Sequence, residues 1–238
     1  MGAEQKVTVR RSADRGRTEL NWLKSWHTFS FGEFYDPSHM GFRALRVIND
    51  DRIAPGGGFG MHGHRDMEII TVVLSGALEH RDSLGNCETL RPGEVQVMTA
   101  GQGIRHSEVN PSSSEPCHLL QIWIEPTERG LAPHYEQKHL DLHKHTDGLV
   151  LAVGGSKDRL APLSINQDAR LFLGQLASGA ETTLCFGSGR SLWIHVATGS
   201  VSLDGTTLTS GDSCSVEGCE SVVVAGVDDS FFLIFDLV

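Results

Sequence analysis

The chain has 238 residues, of which 39% are hydrophobic and 21% are charged, and this predicts one large or two compact globular domains rather than a disordered or fibrous protein. Its formal net charge of −10 disfavours nucleic-acid binding, because such a surface repels phosphate. The charged N-terminus does not resemble a secretory signal, and no apolar run approaches the roughly 18 residues of a membrane span, so we expect a cytoplasmic protein without membrane contact.

Strand-like runs dominate the first half. Segments rich in valine, isoleucine, leucine and phenylalanine recur between turn residues, and helical periodicity is scarce. The predicted strands are at 42–48, 68–74, 77–81, 87–90, 94–99, 106–109 and 118–124. Seven short strands in about 80 residues are typical of a β-sandwich or β-barrel. The fold class is therefore predicted to be all-β.

A polar segment then separates this half from a second one. Residues 125–148 contain two prolines and four histidines and lack strand periodicity, which predicts a connector with a boundary near residue 135. Strand-like runs resume at 149–153, 169–176, 191–197, 201–204, 206–208, 221–224 and 230–237. We therefore expect two all-β domains, 1–134 and 135–238.

Turn glycines recur in the same order in both halves. An apolar strand ends at Gly76 and a later turn contains Gly93, and in the second half Gly199 and Gly211 follow the same sequence of strand and turn. Glycine supplies the positive φ angles that such corners need. This order predicts an internal duplication.

Two pairs of metal-binding residue types lie in the first half. His62 and His64 are two residues apart, as are His106 and Glu108, and residues at this spacing share one face of a strand. On adjacent barrel strands the two pairs would bring three imidazoles and one carboxylate to one point. Such a set, without a thiolate, suits Fe(II), Ni, Cu, Co, Mn or Zn and leaves positions open for a ligand from solution. The alternative is that these histidines are surface or hydrogen-bonded side chains.

The remaining histidines carry weaker signals. A second pair, His143 and His145, lies in the connector. His80 and His118 have no partner at ligand spacing, so we expect them to be hydrogen-bonded or solvated. His195 lies on a predicted strand of the second half without a His-x-His or His-x-Glu partner, and we expect the barrel of this half to bind no metal.

The motifs resemble those of the cupin barrels. The first runs from Gly56 through His62 and His64 to Gly76, and the second from Gly93 through His106. More narrowly, the chain is similar to the bacterial, quercetinase-like branch of the pirin family. Four segments carry this resemblance: HTFSFGEFYDP (27–37), HMGFRALRVINDD (39–51), HRDMEIITVVLSGALEHRDSLGN (64–86) and MTAGQGIRHSE (98–108). The similarity covers most of the chain and is strongest in the first 125 residues.

The resemblance implies two cupin barrels in tandem. The N-terminal barrel, 1–134, would hold one divalent metal ion through His62, His64, His106 and Glu108, and the C-terminal barrel, 135–238, would be degenerate. Fe(II) is the expected metal, with Ni, Cu, Co, Mn or Zn as alternatives. The general cupin pattern uses the carboxylate of the first motif, here Glu68, whereas the narrower resemblance favours Glu108.

The resemblance also implies a function. A quercetinase-like dioxygenase would cleave the heterocyclic ring of a flavonol with O2, and Glu108 would accept the proton of the substrate hydroxyl. A second hypothesis is a redox-responsive metal-binding regulator that acts through a protein partner, as in the eukaryotic pirins. A third is a cupin that processes a sugar or a small acid without O2 chemistry. Turnover with O2 uptake distinguishes the first hypothesis from the others.

Overall fold

The computed structural model describes residues 6–142 and 148–238, so the pair His143 and His145 lies outside the described residues. A 3-10 turn spans Ser12–Asp14. The strands, in chain order, are β1 (Lys6–Arg10), β2 (Gly16–Glu19), β3 (Leu23–His27), β4 (Leu45–Ile53), β5 (Gly58–His64), β6 (Glu68–Ser75), β7 (Leu78–Asp82), β8 (Cys87–Leu90), β9 (Glu94–Thr99), β10 (Ile104–Val109), β11 (Cys117–Ile124), β12 (His134–His139), β13 (Leu149–Gly155), β14 (Leu163–Ile165), β15 (Ala169–Leu176), β16 (Glu181–Cys185), β17 (Ser191–Thr198), β18 (Ser200–Leu203), β19 (Thr206–Thr209), β20 (Ser213–Glu217), β21 (Ser221–Gly226) and β22 (Ser230–Leu237). The predicted all-β class is confirmed.

The described chain forms two compact units. The N-terminal unit consists of Gly16–Leu140 and Leu163–Gln167. The C-terminal unit consists of the described parts of Met1–Arg15, Asp141–Pro162 and Asp168–Val238. Among the described residues, no helix is long and apolar enough to cross a membrane.

The N-terminal unit contains two antiparallel sheets. One has the strand order β12-β9-β6-β11-β4-β3-β2, and the other has the order β5-β10-β7-β8. Strand β6 lies inside the first sheet, and its first six residues, EIITVV, are buried, which explains why this strand is an almost continuous apolar run. Side chains from both sheets share one apolar cluster: Leu23, Ile53, Val73, Leu78, Leu90, Cys117 and Leu119. The loss of water contact by these side chains stabilises the pairing of the sheets.

The C-terminal unit repeats this arrangement. One sheet contains the strand order β1-β20-β17-β22-β15-β13, and the other has the order β16-β21-β18-β19. Strands β20-β17-β22-β15 match β9-β6-β11-β4, and β16-β21-β18-β19 match β5-β10-β7-β8, position by position. The predicted duplication is therefore visible in the topology.

The connector prediction was wrong for part of its length. Residues 134–139 form β12, which pairs with β9 from His134 opposite Thr99 to His139 opposite Glu94. This strand is at the edge of its sheet and is half exposed, so its sequence, HYEQKH, is polar and lacks an apolar period. Strand β5 was also not predicted, because GFGMHGH is rich in glycine and has no β-branched residue.

The compact units are not continuous in sequence, unlike the predicted domains 1–134 and 135–238. Strand β1 pairs along its whole length with β20, from Lys6 opposite Glu217 to Arg10 opposite Ser213, which places β1 in the C-terminal unit. The segment Leu163–Gln167 belongs to the N-terminal unit. The domain boundary near residue 135 stays a prediction.

Candidate metal centre

Three histidines meet where β5 pairs with β10. The antiparallel register places His62 directly opposite His106 and His64 opposite Ile104. The ring centroids are 4.4 Å apart for His62 and His106, 4.7 Å for His62 and His64, and 4.9 Å for His64 and His106. Each ring offers one nitrogen, and these three atoms lie within 4.8 Å of one another. The structure thus brings together the three predicted imidazoles.

The protonation of these rings suits a metal ion. His62 Nδ1 lies 2.8 Å from the carbonyl oxygen of Gly60, which can only accept, so Nδ1 donates, and in the neutral ring the lone pair is on Nε2. The Nε2 atoms of His64 and His106 are buried and have no hydrogen-bond partner in the described part of the chain. Burial first, and then the neighbouring histidines, lower the pKa of His64 to about 4 and that of His106 to about 2. Neutral imidazoles with unpartnered nitrogens are the donors that a divalent transition metal requires.

Glu108 lies next to this cluster. It is fully buried, and Gln121 Nε2 donates to its Oε2 at 2.8 Å, whereas Oε1 has no hydrogen-bond partner among the described residues. The β5–β10 register shifts between His106 and Glu108, so the two residues do not follow simple alternation. Burial, reinforced by the charge of Asp51, raises the pKa of Glu108 to about 7 against the effect of the Gln121 hydrogen bond. An unpartnered buried carboxylate oxygen also fits a cation.

The described residues contain a second group of metal-binding residue types. His80, His106 and Glu108 offer ligand atoms within 4.8 Å of one another. His106 therefore belongs to both groups, while Glu108 is grouped with His80 rather than with all three predicted histidines. His80 is hydrogen-bonded, as expected, but its position beside His106 was not predicted from the sequence. The signal that could have found it is the His80-x-Asp82 spacing on β7, the strand next to β10.

Glu68, the other candidate carboxylate, has both oxygens engaged. Thr99 Oγ1 donates to Oε2 at 2.7 Å, and Asn166 Nδ2 donates to Oε1 at 3.0 Å. Burial raises the pKa of Glu68, and these hydrogen bonds oppose the shift. Glu68 belongs to neither group of ligand-type residues found in the described chain. These contacts favour Glu108 over Glu68 as the carboxylate of the site.

Two residues of β11 support the cluster and were not predicted from the sequence. Trp123 stands edge-on to the His64 ring with a centroid distance of 5.0 Å. Its Nε1 donates to Gln121 Oε1 at 3.4 Å, which orients the Gln121 amide so that its nitrogen faces Glu108. The alternation of Gln121 and Trp123 on one strand face was the available signal.

The C-terminal unit has no comparable cluster in its described residues. His195 is buried and its Nδ1 lies 2.8 Å from Ser213 Oγ. Burial raises the pKa of the Cys214 thiol to about 12, so this side chain is a poor metal ligand at neutral pH.

The barrel occurs twice, and in the N-terminal copy metal-binding side chains gather on two paired strands. These features define a two-cupin protein. The model of the family described as Pirin matches residues 7–124. The model described as the quercetinase C-terminal cupin domain matches residues 152–237. The second half therefore matches a cupin family model in its own right, whereas the resemblance noted from the sequence was strongest in the first 125 residues.

Similar proteins extend over nearly the whole chain. Quercetin 2,3-dioxygenase from Escherichia coli strain K12 is 44% identical over 237 residues, which cover 97% of this chain and 98% of that protein. The crystal structure of YhhW from Escherichia coli is similar with a TM-score of 0.92 at 43% identity, covering 98% of both chains. The structure of bacterial pirin YhhW in complex with nickel(II) has a TM-score of 0.91, also at 43% identity, and covers 98% of this chain and 99% of that one. The present chain belongs to the pirin family, in its bacterial quercetinase-like branch.

Proposed function

We propose that this protein is a metal-dependent dioxygenase that opens the heterocyclic ring of a flavonol with O2. The observation that carries the proposal is a set of buried atoms without a hydrogen-bond partner in the described chain, His64 Nε2, His106 Nε2 and Glu108 Oε1, with His62 directly opposite His106. Such atoms are costly to bury unless a ligand satisfies them. The relationship to quercetin 2,3-dioxygenase of Escherichia coli supports the choice of reaction.

The proposed metal ligands are His62, His64, His106 and Glu108, and the proposed metal is Fe(II). Nickel is the first alternative, because the related YhhW has been crystallised with nickel(II). A bound metal of this kind supplies a Lewis acid for the substrate hydroxyl and a template for the reaction with O2.

The residues of the chain would handle the proton. Glu108 Oε1 accepts the hydroxyl proton of the flavonol, while Gln121 holds the other carboxylate oxygen in place at 2.8 Å. The edge of Trp123 against His64 fixes that ring and excludes water from one side of the cluster.

The test is turnover by the metal-loaded protein. Protein purified without chelators or a nickel column is loaded in turn with Fe(II), Mn, Co, Ni and Cu, and both O2 uptake and loss of flavonol absorbance are measured per bound metal. We expect turnover with Fe(II). No turnover with any of the five metals would overturn the proposal, and a partner whose affinity changes with the oxidation state of the metal would then favour the regulatory function.

Glu108→Gln tests the proton acceptor. The variant keeps three imidazoles and therefore part of its metal, but it lacks the base, so the rate per bound metal should fall by about 10²–10⁴. Glu68→Gln is the matched control, because it makes the same change in another buried glutamate of the N-terminal unit. A normal rate per metal in Glu108→Gln, with a large loss in Glu68→Gln, would transfer the role to Glu68.

A further inference from the structure

The two nitrogens of His106 face different surroundings. Nε2 has no hydrogen-bond partner in the described chain, whereas Nδ1 lies 3.4 Å from Nδ1 of His80. His80 is fully buried, and its Nε2 lies 3.1 Å from Asp82 Oδ2. The β10–β7 register produces this row, because it places Asp82 opposite His106 and His80 opposite Glu108.

The direction of each hydrogen bond follows from Asp82. Its carboxylate accepts from the backbone amides of Leu84 at 2.9 Å and Asn86 at 3.1 Å, and from Asn86 Nδ2 at 2.8 Å. A carboxylate that accepts this many hydrogen bonds is ionised, so His80 Nε2 carries the proton that it donates to Asp82.

The next link follows in the same way. A neutral His80 that is protonated on Nε2 has a lone pair on Nδ1, so the His106 Nδ1 atom facing it is the donor. His106 is then protonated on Nδ1, and its lone pair is on Nε2, the atom without a protein partner.

We infer that Asp82 and His80 are positioning residues for His106. A hydrogen-bonded chain runs from the Asp82 carboxylate through the His80 imidazole to the His106 imidazole, and it holds His106 in the tautomer that presents Nε2 to a metal ion. The inference rests on the proposed metal site but not on the proposed substrate. The ring of Tyr135 stacks on His80 at a centroid distance of 4.7 Å and an angle of 28°, which restrains the orientation of the His80 ring. A metal-ligating histidine usually donates its second nitrogen to a carboxylate or carbonyl, and loss of such a partner typically weakens metal binding 10- to 100-fold.

A second metal ion among His80, His106 and Glu108 is the competing explanation for their proximity. Each His80 nitrogen already faces a polar partner, Asp82 on one side and His106 on the other. A proton between the two imidazoles accounts for both contacts without a further ion.

The first experiment reads the tautomers directly. Long-range ¹H–¹⁵N NMR correlations of the histidine rings are recorded for the metal-free and the Zn(II)-loaded full-length protein. We expect His106 to be protonated on Nδ1 and His80 on Nε2 in the metal-free protein, with His106 unchanged when zinc binds. A proton on Nε2 of metal-free His106 would overturn the inference, whatever the protein does with a flavonol.

The second experiment removes the chain's middle member. His80→Phe keeps a flat ring against Tyr135 but removes both nitrogens, and zinc affinity is measured by competition with a chromophoric chelator. We expect a 10- to 100-fold weaker affinity at an unchanged stoichiometry of one, and a mixture of His106 tautomers. His80→Gln, which can still accept from His106, should recover part of the affinity.

The control is His118→Phe. His118 also forms a histidine–carboxylate pair, with its Nε2 2.7 Å from Asp50 Oδ1, but it belongs to neither group of ligand-type residues. Its replacement should leave both the zinc affinity and the His106 tautomer unchanged. An equal loss of affinity in the two phenylalanine variants would show a general packing effect and overturn the positioning role. Two zinc ions per wild-type chain, reduced to one in His80→Phe, would establish the second metal site instead.

Discussion

At the scale of single residues, the N-terminal unit buries two carboxyl groups whose charged forms are disfavoured. Glu108 and Asp51 are both buried, and burial raises the pKa of each carboxyl to about 7. The charge of Asp51 also raises the pKa of Glu108, and the charge of Asp50 raises that of Asp51. A divalent cation beside Glu108 would relieve this cost, whereas the metal-free protein must meet it by keeping protons on these groups.

Asp51 should therefore contribute a loss of stability to the metal-free protein as the pH rises from about 4 to 7, whereas His64 and His106, whose pKa values are lowered, contribute a gain up to their model value of 6.5. In this window Asp51 keeps its proton in the folded state, because its pKa is about 7, but loses it in the unfolded chain, where the model value is 3.8. The folded state then binds more protons, so rising pH disfavours it by up to about 1.4 kcal/mol per pH unit for such a group. Urea denaturation of the wild type and of Asp51→Asn at several pH values isolates this contribution as the difference between the two slopes.

Asp51→Asn should remove this negative contribution to the slope and stabilise the protein at pH 7, because the amide carries no charge to bury. Glu115→Gln, a change at an exposed carboxylate, is the control and should leave the slope as it is in the wild type. A slope that is unchanged in Asp51→Asn would refute the assignment of the effect to this residue.

At the scale of elements, the centre depends on how closely β5 approaches β10. Gly58 pairs with Val109, and a Cβ atom on Gly58 would lie 2.3 Å from the carbonyl oxygen of Glu108 and 2.5 Å from the Cα of Val109. Only glycine allows this approach beside the register shift. Gly60, on the same strand, has open space around the corresponding position.

Gly58→Ala should separate the two strands next to Glu108. The added methyl group meets backbone atoms, which cannot rotate away, and such overpacking typically costs 1–3 kcal/mol, or roughly 2–12 °C in Tm for a chain of this size. Metal affinity should fall as well, because Glu108 moves with the backbone of β10. Thermal denaturation and chelator competition measure the two effects. Gly60→Ala is the matched control, and similar losses in both variants would contradict the role of the close approach at Gly58.

At the scale of the whole molecule, the same architecture occurs in both units. Among the described residues, clusters of metal-binding residue types lie in the N-terminal unit only. The duplication extends to turn geometry: Gly76 and Gly199 have φ angles of 76° and 73°, and Gly93 and Gly211 have 86° and 84°. Backbone corners were thus kept in both units, because a side chain at a positive φ is strained in either copy. The metal-binding side chains are not needed for these backbone conformations, so one copy can lack them.

We expect one metal ion per chain, bound in the N-terminal unit. His62→Ala combined with His106→Ala should reduce the bound metal to zero in a protein that still shows a cooperative unfolding transition. His195→Ala and Cys214→Ala, changes at buried residues of the C-terminal unit, should leave one equivalent. Elemental analysis of each variant gives the count. One equivalent retained by the double histidine variant would contradict this prediction.

Features that depend only on neighbouring residues could be predicted from the sequence. Apolar runs between turn residues predicted the all-β class, because strand formation and turn conformation are set over a few residues. The spacing of His62 and His64 placed both rings on one strand face for the same reason. Recurring turn glycines predicted the duplication, since each marks a local backbone conformation.

Only the tertiary structure decided which distant residues meet. The pairing of His62 with His106, the hydrogen bonds that occupy Glu68, and the chain from Asp82 through His80 all depend on strand register. The same holds for β12, whose polar residues form a strand because β9 offers an open edge. Register is set by backbone pairing between segments far apart in the chain, and a shift of one residue would turn every side chain to the opposite face.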